Sequence, residues 1–463
     1  MWLLGKENLN LLKPVLNSKY YLEWVNYLKR FLKYSRQAKY YKNPYNLLAL
    51  QLAFTKTISS VESVKTEGIK QLHLAKKKKD EEKIKDIEIG ITSNRQIVRI
   101  IKVIADGLAW RVLNFDRPFM RVAAEPSRYP GSVDLDSKEY ERLEESAIAI
   151  TATRKSRVLL NDLTYFLRIG DLTEVGKKTI IWESKKSSKQ LKSVYTIFKK
   201  GRKQKLSKQM KKLVHAQVAR DFREISIGKD KVFIMDLPFS FDNYLNEVSD
   251  VIKEARKNMF STKQLSDCLI VSCTDQEQMI NHAIKTGEHV WEKFNDKNTW
   301  NKKHRITAYS NLDFFYDKDG DFIRSATPYS VYPFSDDDVM GLISGNLFLK
   351  SQLNISKVKK TLIKAGWEVE DVNLDESLKN MEKIIPLIKA GKGSEVFIDD
   401  TIFTLKRGAF ILKIPMYWVT RIGTEFMKPE VLIKHIEAIY QTSQYGIPRK
   451  VQPFILGERD VWK

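Results

Sequence analysis

Cysteine is almost absent from this chain of 463 residues, which contains only Cys268 and Cys273. Two thiols cannot build a disulfide framework, and a structural zinc site normally needs four Cys or His ligands close together. The six histidines are dispersed; the nearest pair, His282 and His289, lacks a third ligand at suitable spacing, so we expect surface or capping roles for both. The two cysteines are therefore predicted to be reduced thiols in the core or at a strand edge.

Long apolar runs and nucleotide-binding motifs are also missing. No stretch of about 18 uncharged apolar residues occurs, so we expect no membrane span. The first residues, Met-Trp-Leu-Leu-Gly-Lys-Glu, lack the basic-then-apolar pattern of a signal sequence. No Gly-x-x-x-x-Gly-Lys-Ser/Thr loop is present, which argues against a nucleotide-driven motor. Since 43% of the residues are hydrophobic, the composition predicts a globular, cytoplasmic protein of roughly three domains.

Acidic residues are too few to balance the basic ones. The chain has 80 Lys and Arg against 57 Asp and Glu, and 80 − 57 gives a net charge of +23. Such an excess favours polyanionic partners, of which nucleic acid is the commonest and a membrane surface or a ribosome the alternative. Residues 186–212 contain eleven basic residues and no acidic one. The predicted nucleic-acid contacts within this stretch are Lys199, Lys200, Arg202, Lys203 and Lys205.

Hydrophobic periodicity divides the chain into three parts. Residues 1–125 are predicted to be a basic helical region, because apolar side chains recur there at helical spacing. Two prolines and a glycine in 125–131 mark a boundary, and a helix over 136–153 precedes strand-like segments that begin near residue 158. The predicted parts are 1–125, a core at 126–284, and an α+β C-terminal domain of unknown role at 285–463. The two helical stripes of the first part are Tyr21, Trp24, Leu28 and Leu32, then Ile97, Ile101, Ile104 and Leu108.

Farther along, strands alternate with helices. Strands at 232–235 and 269–271 are separated by a helix near 244–255, an alternation typical of α/β proteins. Helices are also predicted at 355–365 and 374–390, and the acids at 336–338 after Ser335 indicate a helix start. Hairpins are predicted around Asp319-Gly320 and between 395–398 and 403–406.

The segment from 160 to 186 carries the most informative pattern. Strand-like residues at 163–167 are followed by Gly170-Asp171, a short apolar run at 172–175, a turn at Gly176-Lys177, and a second run at 179–183. A two-residue hairpin loop would put Asp171 opposite Trp182, whereas a three-residue loop would put it opposite Glu183. Either register brings the two carboxylates to the same end of the hairpin.

The chemistry available there is that of two acids and an amine. Side chains alternate along a strand, so Glu183 and Lys185 are predicted to share a face. Paired carboxylates supply the hard oxygen ligands that Mg²⁺ prefers, and the metal activates water and polarises a phosphodiester. Lys185 is placed to orient water and to neutralise charge on the phosphate, and the basic stretch that follows would bind the nucleic-acid backbone. An ordinary strand end with surface charges is the alternative.

Gly170-Asp171, an apolar strand and Glu183-Ser184-Lys185 together resemble the motif of PD-(D/E)XK nucleases. In that superfamily an acidic residue near one strand is followed by Glu-x-Lys on the next. The resemblance implies that Asp171, Glu183 and the Ser184 carbonyl bind metal and that Lys185 is catalytic. Glycine replaces the proline of the family name, at a position that varies in the superfamily. The similarity covers roughly residues 136–275.

Supporting residues are implied by the same resemblance. Members often carry a Glu on the preceding helix, where Glu144 or Glu145 is available, and a glutamine motif on the following helix. That motif is either Gln209-Met210-Lys211-Lys212 or Gln217-Val218-Ala219-Arg220, the latter in the Gln-x-x-Arg form. The implied fold is a restriction-endonuclease-like mixed sheet flanked by helices.

The implied activity is an Mg²⁺- or Mn²⁺-dependent endonuclease that acts on DNA rather than RNA, in phage defence or DNA processing. Two alternatives remain open: a nucleic-acid-binding protein without catalysis, and a scaffold subunit that docks on acidic proteins. A homo-oligomer or a partner subunit is compatible with each of them, and no membrane partner is expected.

Overall fold

The structure of the chain is a computed structural model. Contacts divide the chain into two units: Met1–Ala124, Pro130–Asp221 and Pro328–Ser344 form the first, and Glu125–Tyr129, Phe222–Thr327 and Gly345–Lys463 the second. The described residues are 15, 18–116, 119–120, 137–165, 167, 170–185, 188–193, 224–227, 230–236, 242–286, 305–309, 328–371, 401–444 and 455–457.

Helices and strands are numbered here in chain order. The helices are α1 (Lys19–Arg36), α2 (Ala38–Tyr41), α3 (Pro44–Lys78), α4 (Glu81–Val112), α5 (Lys138–Arg154), α6 (Leu245–Asn258), α7 (Gln276–Thr286), α8 (Asp336–Ser344), α9 (Ile355–Lys364), α10 (Met416–Thr424) and α11 (Pro429–Gln444). The strands are β1 (Arg157–Leu160), β2 (Leu172–Val175), β3 (Thr179–Lys185), β4 (Ser188–Ser193), β5 (Glu224–Ile227), β6 (Asp230–Asp236), β7 (Phe260–Ser266), β8 (Leu269–Asp275), β9 (Arg305–Tyr309), β10 (Leu347–Asn354), β11 (Glu368–Asp371), β12 (Thr401–Arg407), β13 (Phe410–Pro415) and β14 (Ile455–Gly457).

The two units cut across the three parts predicted from the sequence. The N-terminal helices and strands β1–β4 of the predicted core belong to the same unit, in which α3 packs directly on β1, whereas strands β5–β8 of that core belong to the second unit. Residues 328–344, predicted to be C-terminal, join this unit as well. Arg36 donates to the carbonyls of Tyr332 and Phe334, and Arg111 donates to the carbonyl of Ser330. Two arginines thus anchor the segment on the N-terminal helices.

A long antiparallel helix pair, α3 and α4, dominates the N-terminal region. Asn43 caps α3, with Pro44 at its first position, and Asp80 caps α4 by accepting from the amide of Lys83. The predicted stripe of Ile97, Ile101, Ile104 and Leu108 is buried in α4. In α1, three of the predicted stripe residues are buried and Trp24 is half-buried. The helical prediction for this region is confirmed over its described residues.

Four strands follow α5 as an antiparallel meander in the order β1-β2-β3-β4. The helix predicted over 136–153 is confirmed as α5, and its Arg154 pairs with the buried Glu174 of β2 at 3.1 Å. The strand predicted at 163–167 is wrong. A 3-10 turn at Asn161–Leu163 replaces it, because both the amide and the hydroxyl of Thr164 donate to the carbonyl of Asn161.

The outer edge of β1 is completed by a side chain. Gln51, buried in α3, donates from Nε2 to the carbonyl of Val158 at 2.8 Å and accepts from the amide of Leu160 at 2.8 Å. The carboxamide takes the place of a neighbouring strand, so the edge backbone is not left without partners in the core. Helix α3 therefore fixes the position of the meander.

The second unit contains small sheets in the orders β7-β8-β10-β9, β11-β12-β13 and β14-β6-β5. Strands at 232–235 and 269–271 are confirmed, but they lie in different sheets rather than side by side. The described pairings are antiparallel apart from β14 with β6, so the fold-class prediction is confirmed as far as a mixed class of helices and small, mainly antiparallel sheets.

The structure also decides several local predictions in the two units. The helix predicted at 355–365 is confirmed as α9, and the helix start at Ser335 is confirmed because its hydroxyl accepts from the amide of Asp338. Segment 403–406 is confirmed as strand, but it pairs with β11 and β13, while 395–398 is not described. The predictions at 319–320 and 374–390 also fall outside the described residues.

Both cysteines are free thiols buried around β8, as predicted. Burial raises the pKa of Cys268 to about 11, so this thiol stays protonated and unreactive at neutral pH. In the ranges that the structure describes, no helix is both long enough and apolar enough to cross a membrane.

Candidate active site

The hairpin formed by β2 and β3 is closed by a three-residue loop. Val175 pairs with Thr179, and Leu172 pairs with Trp182 at the other end of the ladder. The ladder ends with this pair, and Asp171 lies one residue beyond it; the three-residue loop is the one for which the sequence predicts Asp171 opposite Glu183. Asp171 and Glu183 thus lie at the same end of the hairpin; the close approach of their side chains, with Cβ atoms roughly 4.5–5.5 Å apart as in directly opposed residues, stays a prediction.

Gly170 forms a sharp turn immediately before Asp171 and so sets where Asp171 lies at the end of the hairpin. Gly170 has φ +72°, and a Cβ there would overlap Cγ2 of Ile181 and approach the carbonyl oxygen of Trp182 to 2.8 Å. Only glycine fits such a backbone this close to the next strand. The glycine that stands where the superfamily name has proline is thus required by the turn.

The backbone of Asp171 is held from both sides. Its amide donates to the carbonyl of Trp182 at 2.8 Å, and its carbonyl accepts from the amide of Asn161 at 3.0 Å. The Asp171 side chain is half-buried, whereas Glu183 is 9% exposed. One of the two acids is therefore partly accessible to solvent, and the other is buried.

The side chain of Asn161 holds the turn at Gly170 in place through two hydrogen bonds. Its Nδ2 donates to the carbonyl of Gly170 at 3.1 Å, and its Oδ1 accepts from the hydroxyl of Thr173 at 2.9 Å. The side chain is fully buried, so these bonds form away from competing water. Asn161 begins the 3-10 turn that follows β1, and it links the end of that strand to both sides of Asp171.

We expect Asn161→Ala to lower the free energy of unfolding by about 2–4 kcal/mol, because it leaves the Gly170 carbonyl and the Thr173 hydroxyl buried without their partner. Urea denaturation followed by far-ultraviolet circular dichroism measures the loss. Thr173→Val is the graded control: it removes one of the two bonds and should cost less. Equal stability of wild type and Asn161→Ala would show that the side-chain hydrogen bonds of Asn161 do not hold the turn.

The Glu-x-Lys segment forms the end of β3. Glu183 pairs with Lys192 of β4, and the register shifts before Lys185 pairs with Ser188. This irregularity lies at the motif itself, and such bulges are common beside active sites, where they redirect a strand. The backbones of Ser184 and Lys185 are part of β3 as predicted; their side chains lie outside the described part of the chain.

The donor set suits a hard divalent cation in its chemistry. Two carboxylates at one end of a hairpin, with the Ser184 carbonyl in the same strand as Glu183, are the kind of oxygen ligands that Mg²⁺ or Mn²⁺ takes together with water and phosphate. Among the described residues, no group of three or more His, Cys, Asp or Glu side chains is arranged to hold a metal. A metal here would therefore depend on the two acids and on non-carboxylate oxygens.

Glu144 lies on α5 in a polar cluster with α3. Burial raises the pKa of Glu144, a hydrogen bond with Thr55 opposes that effect, and Glu141 adds to it. Thr55 also bonds the hydroxyl of Tyr140 at 3.2 Å, and the pKa of that phenol is raised by burial. The structure thus brings Glu144 together with Thr55 and Tyr140. Glu145, the other candidate, is exposed on the same helix.

Asp162, next to Asn161, is a half-buried acid whose pKa is shifted by burial and by neighbouring charges. Burial raises the pKa of Asp162 above its ordinary value, Lys102 acts in the opposite direction, and Glu139 adds to the rise. A carboxyl whose folded pKa is raised binds its proton more tightly in the native state. Its contribution to stability is therefore present at acidic pH and is lost as pH rises through the raised pKa.

Asp162→Asn should consequently unfold at a higher urea concentration than wild type at about pH 7, where the native carboxylate is penalised by burial. The advantage should shrink as the pH falls below the ordinary aspartate range, because both proteins are then uncharged at this position. Denaturation curves at several pH values give the comparison. A difference that does not depend on pH would contradict the assignment of the effect to the Asp162 charge.

The remaining predicted site residues lie outside the described residues. These are the nucleic-acid contacts Lys199, Lys200, Arg202, Lys203 and Lys205, and the supporting residues Gln209, Gln217 and Arg220. Their roles stay predictions.

Two positioning residues were missed by sequence reasoning, Asn161 and Gln51. A polar residue in an otherwise apolar stripe was the available signal for Gln51, which sits among Leu47, Leu48, Leu50 and Phe54 in α3. For Asn161, the signal was a buried-strand pattern that ends on Asn-Asp ahead of Gly-Asp. Neither pattern predicts which backbone groups the side chain contacts.

No protein-family model, curated protein or solved structure matches this chain significantly.

Proposed function

We propose that this protein is a metal-dependent nuclease that hydrolyses phosphodiester bonds, with DNA as its substrate. The observation that carries the proposal is the register of β2 and β3, which leaves Asp171 and Glu183 at the same end of the hairpin, with Lys185 two residues beyond Glu183 along β3. The spacing of the three residues in the sequence is weak evidence by itself. Their meeting at one end of a hairpin is what catalysis would require.

Each residue has a distinct part in this proposal. Asp171 and Glu183 would hold the metal, together with the carbonyl of Ser184. When bound, Mg²⁺ lowers the pKa of coordinated water and polarises the phosphodiester. Lys185 would hold the attacking water in position and offset the negative charge that builds up on the phosphate oxygens. Asn161 and Gly170 would act through Asp171 as positioning residues, because they fix its backbone.

A restriction-endonuclease-like core is the finer fold that we propose for this region. In its support, α5 is followed directly by the antiparallel strands β1, β2 and β3; Asp171 immediately precedes the second of these strands, and Glu183 lies on the third. The helix packs on the strands through the Arg154–Glu174 pair, while Trp182 donates to the same carboxylate at 3.1 Å. One buried acid on β2 thus serves structure, and Asp171 at its beginning remains for chemistry.

Charge supports nucleic acid as the substrate. The meander leads directly into the basic stretch at 186–212, so cationic side chains follow the proposed catalytic residues in the chain. Neutralising several phosphates would make affinity fall steeply as salt rises, with no need for base recognition. Cytoplasmic action in phage defence or DNA processing would agree with this, by resemblance alone.

The test is incubation of the full chain with supercoiled plasmid, linear duplex and single-stranded RNA, in Mg²⁺, in Mn²⁺ and in a chelator. The proposal predicts cleavage of DNA with either metal, none in the chelator, and slower cleavage of RNA. Salt-sensitive binding of DNA without cleavage under any of these conditions would favour a non-catalytic binding protein. Absence of DNA binding at low salt would favour a scaffold that docks on other proteins.

A further inference from the structure

A second basic surface lies on the N-terminal helices, away from the catalytic residues in the sequence. Between residues 18 and 45 the chain has seven basic residues and one acid, so 7 − 1 gives +6, about a quarter of the total excess. Most of the cations in this segment are exposed. Exposed lysines alone would be unremarkable, but here they alternate with tyrosines.

The tyrosines form a continuous ridge with these cations. Tyr27 is 53% exposed, although its size and apolar ring favour burial. Arg30 and Tyr34 follow at three and seven residues, on the same side of α1 and about 10 Å along it from end to end. We define the aromatic ridge by its members, which are Tyr27, Arg30, Tyr34, Lys39 and Tyr40.

Ring stacking extends the ridge from α1 to α2. The rings of Tyr34 and Tyr40 are stacked, with centroids 4.7 Å apart and planes 24° from parallel. The ammonium of Lys39 lies 5.3 Å from the centroid of the Tyr40 ring. Lys29 is not part of the ridge, because it pairs at 3.2 Å with Asp337. Tyr34 and Tyr40 thus cover one face of each other's rings and Lys39 lies over the Tyr40 ring, so Tyr27 has the most exposed ring of the three, with exposed cations near it in the sequence.

Among polyanions, a single-stranded nucleic acid can contact both the tyrosine rings and the cations of the aromatic ridge. Unpaired bases stack on tyrosine rings whatever their sequence, while cations between the rings contact phosphates. Duplex DNA presents its phosphates but keeps its bases stacked internally, so the rings would contribute little. An acidic protein would use the cations and not the ring faces.

We propose that the aromatic ridge binds single-stranded DNA, with its tyrosines stacked on unpaired bases and its cations on the backbone. The choice of DNA over RNA rests on the proposed function; the choice of a single strand rests on the ridge itself. A nuclease with such a surface would be directed to substrates that contain unpaired segments, such as gaps, flaps or melted ends.

Fluorescence anisotropy of the full chain in a chelator measures binding with cleavage suppressed. The probes are labelled oligothymidylate of about 20 nucleotides, a duplex of equal length, and oligouridylate. Tyr27→Leu removes the ring but keeps an apolar side chain, and Tyr27→Phe keeps the ring. Arg30→Gln removes a ridge charge, with Arg95→Gln as the matched control because Arg95 is exposed on α4.

The ridge predicts at least about fivefold weaker oligothymidylate binding for Tyr27→Leu, with Tyr27→Phe and duplex binding near wild type. Arg30→Gln should weaken both probes, and Arg95→Gln neither. Unchanged oligothymidylate binding by Tyr27→Leu, an equal loss on duplex, tighter binding of oligouridylate, or displacement by polyglutamate as effective as by DNA would each overturn the proposal. Plasmid cleavage is scored separately, so an inactive protein that binds through the ridge refutes only the nuclease.

Discussion

Glu183→Gln is expected to reduce DNA cleavage by about a thousandfold, because it removes one of two metal-binding charges from the proposed site. Glutamine has nearly the same shape, so the substitution removes the charge without opening a cavity. Glu183 is 9% exposed, so its carboxylate is largely removed from bulk water. Cleavage rates at saturating Mg²⁺, measured on supercoiled plasmid, give the size of the loss.

The matched control is Glu141→Gln, which makes the same chemical change at an exposed position of α5. It should cleave like wild type. DNA binding in the chelator and the urea midpoint of Glu183→Gln should both stay close to wild-type values, which would separate lost chemistry from lost structure. If Glu183→Gln keeps wild-type cleavage, the chemistry lies elsewhere and the carboxylate pair is structural.

Gly170→Ala is expected to lower the free energy of unfolding by about 3 kcal/mol or more, the largest stability effect that the site predicts. Two costs combine: the positive φ of +72° disfavours any side chain, and the new methyl group would collide with Ile181 and with the Trp182 carbonyl. The backbone of β3 cannot retreat without breaking the ladder, so the collision is not relieved cheaply. Cleavage should fall as well, since the turn positions Asp171.

Gly408→Ala separates the two costs. Gly408 also has a positive φ, +60°, but no atom lies within 4 Å of the position that a Cβ would take. It should lose only about 1 kcal/mol, and DNA cleavage should be unaffected. Urea denaturation of the two variants gives the comparison. Equal losses for both variants would mean that the close approach of Gly170 to β3 is not a constraint.

The hairpin could be predicted because its signals are local. Two apolar runs separated by glycine and lysines fix the turn, and alternation then fixes which residues oppose each other. Two loop lengths were compatible with the pattern, and only the structure selects the pairing of Val175 with Thr179. The helices of the N-terminal region were equally accessible, since period and capping residues such as Asn43 act within one turn.

What the sequence could not show is set by contacts between distant residues. Gln51 completes the edge of β1 from more than 100 positions away, and no periodicity marks such a pairing. The strand predicted at 163–167 failed because Thr164 satisfies the carbonyl of Asn161 locally, which a propensity argument does not weigh. Sorting strands at 232–235 and 269–271 into separate sheets likewise depends on partners remote in the chain.

The most direct test of the account is a crystal structure of the protein soaked with Mn²⁺, with anomalous data collected at the manganese edge. The account predicts one anomalous peak that is bonded to a carboxylate oxygen of Asp171 and to one of Glu183. The peak should disappear in Glu183→Gln and persist in Glu141→Gln. A manganese ion bound elsewhere in a protein that cleaves DNA, or two acids that point away from each other, would contradict the central claim.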